Sequence, residues 1–132
     1  MAGEYGACSE LCKRGFDASI TFGNMKATDI IILLPNKIYR RIEVKTSREK
    51  KFANFFQKYY DKTQNDHPDF WVLVYIDSQN ISNYYILPHN EMGDVQMKRN
   101  GMTKWEELPG CCDNVLLEDV KRYKDNWDLI VK

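Results

Sequence analysis

Residues 28–47 read TDIIILLPNKIYRRIEVKTS, and this stretch decides the fold. Residues 29–34, DIIILL, are a continuous apolar run opened by Asp29, the pattern of a central strand covered on both faces. Pro35-Asn36-Lys37 supplies turn residues. Residues 38–46, IYRRIEVKT, read as the partner strand, so the stretch predicts an antiparallel hairpin. In that hairpin Ile30 to Leu34 pair with about 38–42, which sets Asp29 opposite about position 43. Residues two apart on a strand face the same way, so Glu43 and Lys45 project together. Val44 points the other way, but its carbonyl lies near the same rim. Asp29, Glu43 and Lys45 therefore converge at the open end of the hairpin, far from its turn.

Two carboxylates at a sheet end suit a hard divalent cation. Mg²⁺ takes oxygen ligands, keeps several waters and uses one or two carboxylates together with substrate phosphate oxygens. Such an ion acidifies a bound water and neutralises charge on a phosphodiester. A lysine beside it can hold the attacking water or screen the transition state. The same residues also fit a plainer reading. Glu43 and Lys45 alone make an exposed same-face ion pair worth about 0–1 kcal/mol.

Around the hairpin, residues 3–14 predict a helix. Glu4, Ala7, Cys8, Leu11 and Cys12 recur at helical spacing on one face, and Gly15 ends it. Residues 16–22 alternate as a strand. Residues 49–60 predict an amphipathic helix with Phe52, Phe55, Phe56, Tyr59 and Tyr60 as its apolar stripe. Residues 70–76, FWVLVYI, predict a buried strand and 83–87 an edge strand. The segment 88–101 reads as a short helix or loop, and 115–124 as a last helix. The order α-β-β-β-α-β-β-α describes an α/β fold, a mixed sheet flanked by helices. With neither repeats nor a linker, the expectation is a single domain over residues 1–132.

These residues resemble the PD-(D/E)xK, or restriction-endonuclease-like, nuclease superfamily. Asp29 opens the second strand of the hairpin unit, and Glu43-Val44-Lys45 stands fourteen residues on as the (D/E)xK element. Upstream, GEYGACSELCKRGFDAS is similar to the first helix of small Holliday-junction-resolvase-like nucleases. Glu4, Leu11 and Gly15 keep the spacing of a glutamate, a leucine and the glycine that ends that helix. Thr28 stands where the motif has proline. The following segment carries Gln57 and Tyr60 as Q-x2-Y, where several branches have Q-x3-Y. The resemblance covers about residues 3–76. It implies a Mg²⁺-dependent endonuclease acting on DNA, with Mn²⁺ able to substitute. Asp29, Glu43, Glu4 and the Val44 carbonyl would be metal ligands and Lys45 would position the nucleophilic water. The rival reading on the same fold is a non-catalytic nucleic-acid-binding or assembly protein. A homodimer that sets two sites on a duplex is a further expectation.

The rest of the composition frames these readings. The chain has 132 residues, 43% hydrophobic and 29% charged, with a formal net charge of zero, so bulk charge does not attract nucleic acid. Charge is local instead. From Lys37 to Lys51 there are seven basic residues and two acidic ones. Lys37, Arg40, Arg41, Arg48, Lys50 and Lys51 are the expected nucleic-acid contacts, and a solvated strand edge is the plain alternative. No apolar run is long enough to cross a membrane. The N-terminus lacks a basic start and an apolar core, so a cytoplasmic protein is expected. Cys8, Cys12, Cys111 and Cys112 lack zinc-site spacing and read as reduced thiols. His67 reads as part of a turn, or less simply as a catalytic base. His89 reads as a helix start, and Trp105 and Trp127 as packing anchors.

Overall fold

The computed structural model describes residues 2–21, 28–52, 67–101 and 114–130. Helix α1 (Ala2–Lys13) leads into β1 (Asp17–Ile20), β2 (Ile30–Leu33) and β3 (Tyr39–Ser47). A short β4 (Lys51–Phe52) precedes β5 (Phe70–Ile76), β6 (Ser82–Pro88) and helix α2 (His89–Arg99). Then come β7 (Val115–Leu116), a single-turn α3 (Leu117–Val120), and 3-10 turns at Lys121–Tyr123 and Trp127–Leu129. The main sheet has the order β1-β2-β3-β5-β6. Neighbours are antiparallel except β3 and β5, which run parallel, with Glu43 beside Trp71 and Lys45 beside Leu73. The sheet is therefore mixed and carries helices on its faces, as the sequence predicted.

The hairpin register is the one read from the sequence: Ile30 pairs with Ile42, Ile31 with Arg41, Ile32 with Arg40 and Leu33 with Tyr39. Strand β2 differs from expectation in its burial. It is second from the edge, not central; Ile30 and Ile32 are buried while Ile31 and Leu33 are only half-buried. The centre of the sheet is β3 and β5, and β5 carries the doubly covered pattern, with Trp71, Val72, Leu73 and Val74 all buried.

Alternation along these strands divides the core into two layers. On one face Ile30, Ile32, Ile42, Val44, Val72, Val74 and Ile86 pack with Ala7 and Leu11 of α1 and with Trp127. On the other, Trp71, Leu73, Tyr85 and Leu87 pack with Phe52, Met92, Val95, Val115 and Val120. Each large aliphatic or aromatic side chain so buried contributes about 1.5–3 kcal/mol. Trp127 is the packing anchor expected of it, and Trp105 lies outside the described residues.

Helix α1 buries Gly3, Ala7 and Leu11, so its inward stripe is one residue round from the one predicted. Glu4 and Cys8 sit on its flank, and Cys12 is exposed. Gly3 allows the close approach: a Cβ there would overlap Thr46 Oγ1 on β3. Gly15 ends the helix in the left-handed region at φ 87°. Cys8 and Cys12 are free thiols, burial pushing the Cys8 thiol up and Cys12 adding to it; Cys111 and Cys112 lie outside the described residues.

Two predicted helices are corrected. The one expected over 49–60 does not begin at 49. Lys51 and Phe52 are extended and pair with Leu116 and Val115, because Phe52 gains a buried place in the second core layer. The remainder of that prediction, with Gln57 and Tyr60, lies outside the described residues. The helix expected over 115–124 is instead β7, one helical turn and a 3-10 turn. Val115 is withdrawn into the ladder with β4. Arg99 then fixes the turn that follows: Nε and Nη2 donate to the two Asp119 oxygens at 2.8 and 2.5 Å, and Nη2 also donates to Glu118 at 2.9 Å. Residues 88–101, read as helix or loop, contain α2, which begins at His89 after Pro88.

Candidate functional site

The open end of the hairpin is where backbone pairing between β2 and β3 gives way to side-chain bonding. Asp29 N–H donates to the Ile42 carbonyl at 2.8 Å, the last rung of the ladder. One residue pair further on, Val44 N–H donates to Asp29 Oδ2 at 2.8 Å. A carboxylate thus occupies the place of the next backbone acceptor. On an extended strand the N–H and C=O of one residue point to the same side. The Val44 carbonyl is therefore directed past the end of β2, beside Asp29.

Glu43 and Lys45 project from the face opposite Ile42 and Val44. Glu43 is only 6% exposed, buried beside Trp71 in the neighbouring strand. Lys45 Nζ lies 3.1 Å from Glu43 Oε1. The pair is not a fully solvated one: the Glu43 carboxylate is withdrawn from water and needs compensation, which half-buried Lys45 supplies. A cavity of about 240 Å³ opens next to Lys45, lined also by Thr46, Ser47, Glu49, Lys51 and Phe52.

Burial pushes the Asp29 carboxyl above its ordinary range. The Val44 N–H bond opposes the rise, the negative charge of Glu4 adds to it, and Lys45 opposes it. Glu4 and Lys45 therefore act electrostatically on the same carboxylate, one from α1 and one from β3. The close packing of Gly3 on Thr46 sets the first turn of α1 against β3 and so brings Glu4 within range. The structure sets Glu4, Lys45 and the Val44 N–H in reach of Asp29, while Glu43 is paired with Lys45 on the β3 face opposite the one α1 packs on. It does not assemble a ready-made cage: among the described residues no three acidic, histidine or cysteine side chains are grouped closely enough to hold a metal ion.

By donor type the residues present fit a hard divalent cation. Asp29, Glu43, Glu4 and the Val44 carbonyl offer oxygen alone. The raised Asp29, half-buried near a second acid, is a group whose charge a cation would relieve.

The basic residues of 37–51 separate in space. Strand β3 spans about 26 Å, with Lys37 and Arg40 at its hairpin end and Arg48, Lys50 and Lys51 beyond its other end. The Asp29–Lys45 cluster lies between them. Arg48 Nη1 donates to Asn80 at 3.0 Å, and Lys51 makes an exposed 3.7 Å pair with Glu49. Arg41 does not belong with the others. Its backbone N–H donates to Asp69 Oδ2 at 2.7 Å and its guanidinium to the His67 carbonyl at 2.8 Å, so it binds the approach to β5 against β3. His67 is stacked on His89 with ring centroids 4.4 Å apart, and Trp71 Nε1 donates to His89 Nδ1 at 3.1 Å. This stack beside Glu43 escaped the sequence reading. Its members are 18 residues apart between Trp71 and His89, and only the β5–β6 pairing brings them together.

Comparison by sequence finds no matching family model and no matching curated protein. Comparison by structure finds nucleases. A bacterial homing endonuclease matches with a TM-score of 0.59 at 15% identity, over 98% of this chain and 86% of that one. The Holliday junction resolvase Hjc of the archaeal hyperthermophile Archaeoglobus fulgidus matches with a TM-score of 0.55 at 14% identity, over 92% of this chain and 91% of that one. The fold of this chain is thus the restriction-endonuclease-like fold that its sequence resembles.

Proposed function

We propose that this chain is a metal-dependent endonuclease that hydrolyses phosphodiester bonds in DNA. One observation carries the reading: Asp29 is bound to the Val44 N–H at 2.8 Å and feels the charges of both Glu4 and Lys45, the latter paired with buried Glu43. The likeness in fold to two nucleases supports it.

Asp29, Glu43, Glu4 and the Val44 carbonyl would hold Mg²⁺, or Mn²⁺ in its place. Bound there, the ion would supply an acidified water and charge neutralisation at the phosphodiester. The chain's own residues do the rest. Val44 N–H fixes one oxygen of Asp29 and so its orientation. Glu43 holds Lys45 on the site side of the strand. Lys45 orients the attacking water and places positive charge where the phosphorane develops its negative charge. Lys37 and Arg40 on one side, and Arg48, Lys50 and Lys51 on the other, track the phosphate backbone. A homodimer would place two such sites on one duplex.

The tightness of the Glu43–Lys45 pair and the lack, among the described residues, of a ready-made acidic cage favour a second reading, a nucleic-acid-binding or assembly protein that does not cleave. Incubation with linear, circular, branched and single-stranded DNA, with and without Mg²⁺ or Mn²⁺, separates the two. Cleavage that requires the metal is the expected result. Binding without cleavage under every condition would sink the proposal in favour of the second reading.

A further inference from the structure

The tip of the β2–β3 hairpin carries an unusual combination of rigidity, charge and exposed apolar surface. Lys37 N–H donates to the Leu34 carbonyl and Leu34 N–H to the Ile38 carbonyl, both at 2.9 Å. Asn36 Oδ1 accepts from Ile38 N–H at 3.1 Å. Pro35 holds the first corner of this turn. Lys37 sits at φ 64°, a left-handed conformation for which glycine or asparagine is the easy residue. A lysine kept there retains its cation against its backbone preference.

Next to that lysine, Tyr39 is 61% exposed and Ile38 is 44% exposed. Arg40 follows. Tyr39 shares its strand face with Glu43 and Lys45, since all three stand at alternate positions. Across the ladder Tyr39 faces half-buried Leu33, and Leu33 faces exposed Asp17; on the other side Asp69 Oδ2 accepts from the Arg41 N–H, two residues on from Tyr39, and is taken up in that bond. An exposed ring beside a fixed turn, with Lys37 two residues before it and half-buried Arg40 after it on the opposite strand face, its guanidinium donating to the Tyr39 carbonyl at 3.3 Å, suits a nucleic-acid base. The ring offers a stacking platform, while Lys37 and Arg40 meet phosphates. A purely apolar partner would leave both cations without a counter-charge.

We infer that Tyr39 is a base-stacking residue, and that it takes a base already unpaired in the DNA. This deepens the nuclease reading and rests on it. Extracting a base from an intact duplex costs a few kcal/mol, so a bulge, branch or flap is the cheaper target. Four residues of strand separate Tyr39 from Glu43, about 13 Å, or roughly four nucleotides of B-form rise. The cleaved phosphate is expected about four nucleotides from the stacked base.

The test compares wild-type protein with Tyr39→Ala, Tyr39→Phe and Arg40→Ala, all at exposed or half-buried positions. Binding to a fully paired duplex and to the same duplex with one bulged 2-aminopurine is followed by anisotropy and 2-aminopurine fluorescence, with Ca²⁺ in place of Mg²⁺. Tyr39→Ala should lose about 10-fold in affinity for the bulged DNA and less than about 2-fold for the paired one. Tyr39→Phe should bind as wild type, and Arg40→Ala should weaken both DNAs alike. Equal losses on both DNAs with Tyr39→Ala, or none, would overturn the inference. So would sedimentation showing that Tyr39→Ala dissociates a dimer, because the tip would then join two copies of the chain. A wild type that cleaves DNA normally while Tyr39→Ala has no effect removes this inference alone. A wild type that neither binds nor cleaves removes the nuclease reading beneath it.

Discussion

Asp29 and Asp119 are both half-buried aspartates near a cation, and burial acts on both in the same direction. At Asp119 it is overcome. Arg99 donates to both of its oxygens, Leu116 N–H donates to Oδ2 at 3.0 Å, and the carboxyl is held below its ordinary range. At Asp29 burial wins. One N–H bond and the charge of Lys45 do not offset it, Glu4 adds a second negative charge, and the carboxyl is pushed up. The Arg99 cluster is a finished structural joint between α2 and α3. The Asp29 cluster is not closed in that way: one backbone N–H and the charge of Lys45 face a half-buried carboxyl that a second acid, Glu4, pushes further up. Perturbed acids mark candidate functional sites, but the direction of the perturbation separates the two kinds here.

The largest expected effect tests that division by function. Asp29→Asn and Glu43→Gln should each abolish metal-dependent cleavage while the fold survives, because each removes a charged oxygen and keeps the side-chain size. Asp119→Asn should cleave at close to the wild-type rate. A plasmid-nicking assay with circular dichroism as the folding check reads all three. An Asp29→Asn protein of normal activity would break the comparison outright.

A smaller but more specific effect is expected at Lys45. Lys45→Ala leaves the carboxylates in place and removes the positive charge 3.1 Å from Glu43. The single-turnover rate at saturating protein should fall on the order of 10²-fold or more, with only a modest loss of DNA affinity. Lys51→Ala should show the reverse balance, weaker binding and a near-normal saturated rate. A Lys45→Ala protein with an unchanged maximal rate would make the Glu43–Lys45 pair as structural as the Arg99 clamp.

The two clusters also differ in how far the sequence disclosed them. Asp29, Glu43 and Lys45 come from one hairpin whose register follows from a local turn and a strand period of two, and the observed pairing of Ile30 with Ile42 is the predicted one. Glu4 was legible through helical spacing, although Gly3, which brings it close to β3, was not read as a contact. Arg99 and Asp119 are 20 residues apart and meet only because β7 docks on β4. That docking is decided by Phe52 and Val115 entering one core layer, a tertiary choice that overrides the helical expectation at those two positions. Arg41 shows the converse. It reads as one base among seven in its stretch, and only the fold reveals Asp69 and His67 as its partners.

Stability gives the third test. At Asp119 the folded carboxyl is depressed, so its ionised form stabilises the fold above the ordinary value of about 4. That contribution is lost as pH falls through the lower folded value. Asp119→Asn should therefore cost roughly 1 kcal/mol at neutral pH, discounted because the Arg99 partner is partly in solvent. The gap from wild type should close in acid. Urea denaturation at a series of pH values measures it, and a pH-independent gap would mean that shape, not charge, holds the joint.

The smallest effect has the opposite sign. The folded Asp29 carboxyl is raised, so its ionised form costs stability at any pH above that folded value. The cost vanishes as pH falls toward the unfolded value. Asp29→Asn keeps an oxygen to accept from Val44 N–H and deletes the charge opposed by Glu4. In the absence of divalent metal it should therefore be more stable than wild type at neutral pH, by roughly 0.5 kcal/mol after allowance for solvent screening, or about 2 °C in Tm. In acid the two proteins should melt together. Added Mg²⁺ should raise the Tm of the wild type, because a ligand that binds only the folded state stabilises it. It should leave the Asp29→Asn, Glu43→Gln double variant where it was. The same aspartate-to-asparagine change would thus stabilise one cluster and weaken the other at neutral pH. Thermal melts that show Asn costing stability at both positions would mean that Asp29 is as well satisfied as Asp119, and that the open end of the hairpin is a joint like the first.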